Sequence, residues 1–117
     1  MIDGQPSTIN CSGTQTRDFV YVDDVVAANL AASEAEWQGE YNVGTGVETT
    51  INELYDSLAT IAGVATATVH VPAKEGEQLR SVLDGSRLLK LANLPERKPF
   101  AEGLRETFEW FRRDQAR

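Results

Sequence analysis

The chain has 117 residues, 41% hydrophobic and 25% charged, the proportions of an ordinary soluble globular sequence with room for one domain. Eleven basic side chains against 18 acidic ones leave a formal charge of −7, a field that repels nucleic acid and anionic membrane and argues against both as partners. Cys11 is the single cysteine, which excludes a disulfide framework or a cysteine-based metal site and makes a reducing cytoplasm the expected setting.

The opening Met1-Ile2-Asp3-Gly4-Gln5-Pro6 has neither the basic nor the apolar region of a signal peptide, and no apolar run approaches the length of a membrane span. Met1 to Gln15 reads as a turn-rich lead-in, with a short strand at Ser7–Cys11 at most. Phe19-Val20-Tyr21-Val22 is β-prone, and Asp23-Asp24 then opens a helix, the acidic side chains suiting free N–H groups and the positive end of the dipole. That helix carries Val25, Val26 and Leu30 to about Ser33. Glu40-Tyr41-Asn42-Val43 is a further strand candidate, stopped by Gly44-Thr45-Gly46. Thr50-Ile51-Asn52-Glu53 has the spacing of a capping box, and Ile51, Leu54, Tyr55, Leu58, Ile61 and Ala62 fall on one helical face before Gly63. Ala67–Val71 reads as a strand, 73–78 as a polar loop, Ser81–Leu83 as a short strand and Ser86–Ala92 as a brief helix. Phe100 to Arg113 is the last helix, its stripe made by Phe100, Leu104, Phe108 and Phe111. The reading is α/β, with short strands and about four helices in a single domain, 1–117.

A doubly wound nucleotide-binding domain opens with a strand, a Gly-rich turn and a helix that receives a pyrophosphate. No G-x-G-x-x-G or G-x-x-G-x-x-G occurs in the chain, and Gly44-Thr45-Gly46 lacks the third glycine. Asp23 and Asp24 are adjacent at a strand-to-helix junction, point in different directions, and read as a helix start rather than a carboxylate pair or metal ligands. His70 has no Asp, Ser or Cys at an informative spacing and reads as structural. Trp37 and Trp110 read as packing residues.

Several segments taken together resemble the extended short-chain dehydrogenase/reductase family, which contains the NAD-dependent nucleotide-sugar epimerases and dehydratases. Gln15-Thr16-Arg17-Asp18-Phe19-Val20-Tyr21-Val22-Asp23-Asp24-Val25 is similar to that family's q-T-R-D-F-v-[YH]-V-x-D-v, and Tyr41-Asn42-Val43-Gly44-Thr45-Gly46 to its y-N-[IVL]-G-T-G. Asn52-Glu53-Leu54, Pro72-Ala73-Lys74-Glu75-Gly76-Glu77, Leu83-Asp84-Gly85-Ser86-Arg87, Glu102-Gly103-Leu104 and Glu109-Trp110-Phe111 follow in family order. Arg87 stands where the family has Lys, and the family's Trp-x-Pro before the last helix is missing.

The resemblance is to roughly the last third of a family member, the substrate-binding C-terminal part, without the N-terminal nucleotide-binding core. It implies that the NAD site and the catalytic Ser/Thr and Tyr-x-x-x-Lys belong to the missing part. The residues four beyond Tyr21, Tyr41 and Tyr55 are Val25, Thr45 and Ala59, so no catalytic residue and no cofactor is assigned to this chain.

The resemblance further implies that Arg17 contacts a substrate diphosphate, whose oxygens the guanidinium fork matches two at a time. Lys74, where the family has Arg, is implied to reach the same group, and Glu77 to accept from a nucleotide ribose hydroxyl. By spacing alone, Arg17 reads as a surface arginine paired with Asp18 or another carboxylate, and Lys74 and Glu77 as solvated loop residues; Arg80 offers a further charge that no motif places. The expected partner is a nucleotide diphosphate-sugar, in the substrate-binding portion of an epimerase/dehydratase, in a free-standing binding module, or in half of a split enzyme. Helix faces that a nucleotide-binding domain would cover lead to the expectation of a homo-oligomer, or of that separate domain as partner.

Overall fold

The computed structural model describes residues 5–64 and 67–115, in the order β1 (Ser7–Asn10), β2 (Thr16–Arg17), α1 (Val22–Glu34), β3 (Thr49–Thr50), α2 (Ile51–Ala62), β4 (Thr68–Val71), α3 (Ser86–Leu91) and α4 (Phe100–Gln115). Residues 1–4 of the lead-in lie outside the described residues. Two small sheets organise the rest. β1 runs parallel to β4 in the register Ser7↔Thr68 to Asn10↔Val71, and β2 pairs antiparallel with β3 through Thr16↔Thr50 and Arg17↔Thr49. Parallel neighbours require a long crossover, and here it carries β2, α1, β3 and α2.

Local chemistry sets the helix ends. Thr50 Oγ1 accepts from Glu53 N at 3.1 Å while Glu53 Oε2 accepts from Thr50 N at 2.7 Å, the reciprocal capping box that the sequence predicts. Gly63, at φ 68°, ends α2 in the left-handed conformation a glycine adopts without Cβ strain. α1 starts differently from expectation. Tyr21 is its N-cap and no side chain caps it; Asp23 and Asp24 lie in the first turn, and the Asp24 carboxylate accepts instead from Lys98 N at 3.3 Å. That bond ties α1 to the segment entering α4.

Three expected strands do not form. Phe19–Tyr21 is irregular and Val22 already belongs to α1; residues 40–43 and 81–83 are also irregular. A strand needs a neighbour for its ladder, and each of these runs finds other partners. Phe19 packs on Phe100 at 5.7 Å, Asn42 Nδ2 donates to the Asp84 carbonyl at 3.4 Å, and Arg87 lies 4.5 Å over the Tyr41 ring. Ser81 N donates to Thr16 O and Thr16 N to Leu79 O, which lays 79–81 along β2 without a continuous ladder.

The entry to α4 is fastened by a cluster of side chains. Lys98 Nζ stands 4.5 Å over the Tyr21 ring and donates to Glu106 at 2.7 Å, and Tyr21 Oη donates to the same carboxylate at 2.7 Å. The Lys98 bond, then the Tyr21 bond, hold the Glu106 carboxyl below its ordinary range.

Burial is thin. Ile9, Ala28 and Leu88 are the buried hydrophobic residues among those described. The radius of gyration is 16.7 Å, against about 13 Å for a compact domain of this length. Between β1, α2 and α4 lies an open apolar groove of about 650 Å³, lined in part by Ile51, Leu54, Leu58, Leu104 and Phe108. α2 and α4 touch, and the groove opens beside their contact, leaving part of both apolar faces uncovered. On the other side, Val22, Val26 and Leu30 of α1 are exposed. Trp110 packs edge-on against Phe111 at 4.9 Å, and both rings are about half exposed, so this tryptophan packs at the surface rather than in a core.

Candidate functional site

β2 is two residues long, and consecutive strand residues face opposite ways. Arg17 on the strand and Gln15 just before it both reach Glu77: Gln15 Nε2 donates to Glu77 Oε1 at 3.2 Å, and Arg17 Nη2 lies 4.0 Å from the same oxygen. The Thr16 hydroxyl turns to the other side and donates to Glu48 at 2.8 Å, and Glu48 is ion-paired with Arg80. Arg80 is thereby committed to the opposite face and does not join Arg17.

Glu77 closes a turn with Lys74. Glu77 N donates to Lys74 O at 3.1 Å, and Lys74 N approaches Glu77 Oε2 at 3.4 Å, with Gly76 at φ 77° between them. The structure thus brings together the three residues singled out in the sequence: Arg17 and Glu77 by side chain, and Lys74 through the turn it shares with Glu77. The Lys74 side chain is exposed.

Arg17 pairs with Glu77, not with its neighbour Asp18. The contact is loose for an ion pair, and exposed or half-exposed pairs are worth about 0–1 kcal/mol. Nη1 donates to the Thr16 carbonyl at 2.7 Å, which fixes one edge of the guanidinium. With the side chain 30% exposed, the fork remains within reach of an anion from solvent.

Asp18 does something the sequence reading missed. Its carboxylate accepts from Thr45 N at 3.0 Å, from the Thr45 hydroxyl, from Gly46 N at 3.1 Å and from Leu83 N at 3.2 Å. One side chain knots three segments directly beside Arg17. Partial burial works to raise its pKa, but the Thr45, Leu83 and Gly46 bonds stabilise the charged form and leave it below the ordinary value. Gly44 fits under this knot because it has no side chain: a Cβ there would stand 2.6 Å from Leu83 Cβ and 2.9 Å from Asp18 Oδ2.

The same geometry tests Gly44-Thr45-Gly46 as a dinucleotide cradle. Its Thr45 and Gly46 amides are spent on Asp18, and the space at Gly44 is taken by Leu83 and Asp18. This turn does not fit a pyrophosphate, and no step through NAD is assigned to residues of this chain. His70, expected to be structural, is exposed, and its Nδ1 lies 2.8 Å from the Cys11 carbonyl. Among the described residues no group of three or more His, Cys, Asp or Glu is placed to hold a metal ion, and no helix is long and apolar enough to cross a membrane.

Fold and site define an α/β segment that presents one arginine and one carboxylate from a short strand and an adjoining turn. The family model for the NAD dependent epimerase/dehydratase family matches residues 1–44. The UDP-glucose 4-epimerase of Mycolicibacterium smegmatis is 36% identical over 113 residues, covering 96% of this chain and 36% of that protein. The crystal structure of a Thermotoga maritima UDP-glucose 4-epimerase with UDP-glucose matches with a TM-score of 0.93 at 36% identity, over 98% of this chain and 37% of the other. A Thermus thermophilus UDP-glucose 4-epimerase in complex with NAD gives a TM-score of 0.88 at 34% identity, over 95% and 37%. In sequence and fold the chain is similar to a segment of the extended short-chain dehydrogenase/reductases of the NAD-dependent epimerase/dehydratase type, and its fold is that of a segment of those Rossmann-type enzymes. It spans about a third of the length of these relatives.

Proposed function

We propose that this chain is the substrate-binding portion of an NAD-dependent nucleotide-sugar epimerase/dehydratase and that it holds the nucleoside diphosphate of its ligand. Arg17 supplies the fork to the diphosphate, Lys74 adds a point charge from the adjoining turn, and Glu77 accepts from a ribose hydroxyl. The observation that carries the reading is the meeting of Arg17, Glu77 and the Lys74–Glu77 turn, residues far apart in sequence, at one partly exposed place in a chain of net charge −7. In such a field an anionic ligand needs a local cation. The chemistry and the NAD site are assigned to the part of the family fold outside this chain.

Thermal unfolding tests this directly, because a ligand that binds only the folded state raises its stability by mass action. Millimolar UDP is expected to raise the midpoint, while uridine, lacking the diphosphate, and NAD leave it unchanged. An unchanged midpoint with UDP would overturn the proposal.

The open apolar groove lined by β1, α2 and α4 supports a second statement: the chain completes itself against another polypeptide, either a second copy or a separate nucleotide-binding domain. Leaving apolar area in water costs about 25 cal/mol per Å², so even a few hundred Å² favours association. Sedimentation equilibrium of the chain alone at micromolar concentration is expected to show a dimer or larger species, and a monomer at every concentration would count against self-association.

A further inference from the structure

Gln15 is 5% exposed, the buried polar residue of the described chain, and it sits against Glu77 rather than in an apolar core. Its Nε2 donates to two acceptors, the Asn10 carbonyl at 2.9 Å and Glu77 Oε1 at 3.2 Å. Both neighbours are acceptors, so turning the amide over would set oxygen against oxygen; its orientation is fixed by the network. The remaining atom, Oε1, is buried with no hydrogen-bond partner among the described residues. A buried acceptor without a donor is unfavourable, and an apolar side chain would fill the same space without that penalty. Packing alone does not account for a glutamine here.

The amide does one thing an apolar residue cannot. It grips one oxygen of the Glu77 carboxylate and, through Asn10, anchors that grip to the end of β1. Glu77 Oε2 is left with a long contact to Lys74 N at 3.4 Å, and the side chain is 17% exposed. A carboxylate held by one oxygen presents the other in a fixed direction, which is what recognition of a hydroxyl donor requires. We propose that Gln15 is a positioning residue: by clamping Glu77 Oε1 it aims the second carboxylate oxygen, Oε2, at the ribose diol of the bound nucleotide and makes the site prefer ribonucleoside diphosphates. This rests on the assignment of Glu77 to the ribose made under the proposed function.

The test is calorimetric titration of the 117-residue chain and its Gln15→Met variant with UDP and with 2′,3′-dideoxy-UDP, which keeps the diphosphate and lacks the diol. The wild-type chain is expected to favour UDP by about tenfold or more, the scale of one charge-assisted hydrogen bond. In Gln15→Met that preference is expected to collapse to less than about twofold through weaker UDP binding, with dideoxy-UDP affinity unchanged. A merely structural glutamine predicts instead that both ligands weaken together, and that result would overturn the proposal, as would an intact preference in the variant. Glu77→Ala, which leaves Gln15 in place, provides the second arm: it is expected to abolish the preference in the same way, and a retained preference would likewise overturn the proposal. Failure of the wild-type chain to bind either ligand would remove the nucleotide site itself, and binding of both equally would remove the ribose assignment; each is distinct from a loss confined to Gln15, and each removes the basis for this role.

Discussion

Replacing Asp18 with alanine is expected to lower the unfolding free energy by about 3 kcal/mol, because it takes the acceptor away from four donors at once. Hydrogen bonds to a charged group are worth about 1.5–3 kcal/mol each, but solvent can re-satisfy those at this half-exposed site, which keeps the total well below the sum. The donors come from two segments, the Thr45–Gly46 turn and the strip at Leu83, and the Asp18 carboxylate ties both to the residue that follows β2. Asp18→Asn keeps the shape and one acceptor oxygen but turns an NH2 donor toward other donors, and is expected to cost about as much as Asp18→Ala. The contribution also depends on pH. The folded-state pKa of Asp18 lies below the ordinary 3.8, so its contribution is present above that value and is lost as the pH falls through the lower folded-state value. Asp18→Asn therefore flattens the acid side of the stability curve as well as lowering it at neutral pH. Urea unfolding of the three proteins at pH 7 and across the acid range measures both effects. A midpoint in Asp18→Ala equal to that of the wild type would show that the knot is incidental.

What the sequence made legible, and what it hid, follows from where the information sits. The Thr50–Glu53 capping box, the Gly63 stop and the last helix from Phe100 are local arrangements, and the structure has all of them. The strands assigned to 19–22, 40–43 and 81–83 rested on β propensity alone, which says a residue suits a ladder but not that a neighbour is there. β2 was missed for the opposite reason: at two residues it has no period to read, and antiparallel pairing with Thr49–Thr50 creates it. Arg17, Lys74 and Glu77 are singled out by family-like motifs; spacing gives no hint that positions 17 and 77 meet. Asp18 stood in the same motif, yet three of its partners are backbone amides, and a backbone N–H leaves no mark in a sequence. Gln15 was hidden likewise, since burial of a polar side chain beside a carboxylate is a tertiary fact. Arg80 was left unplaced by its loop position, and the alternation of β2 puts it on the far side.

Arg17→Ala is expected to be the most damaging single change for ligand binding. The guanidinium is the one cation held on β2 toward Glu77, with one edge fixed by the Thr16 carbonyl and the side chain still 30% exposed. A diphosphate offers two or more charged oxygens to a planar fork, and losing such a contact costs about 1.5–3 kcal/mol, roughly tenfold or more in affinity. Arg17→Lys keeps the charge without the fork and is expected to fall between the two. Stability responds little by comparison, because the pair with Glu77 is loose. The most direct measurement is calorimetric titration of UDP into the wild-type chain and into Arg17→Ala at one salt concentration, with folding of both confirmed by circular dichroism. Binding by the wild type that weakens at least tenfold in the variant is the predicted result; UDP binding of equal strength to both proteins would contradict a diphosphate site at Arg17.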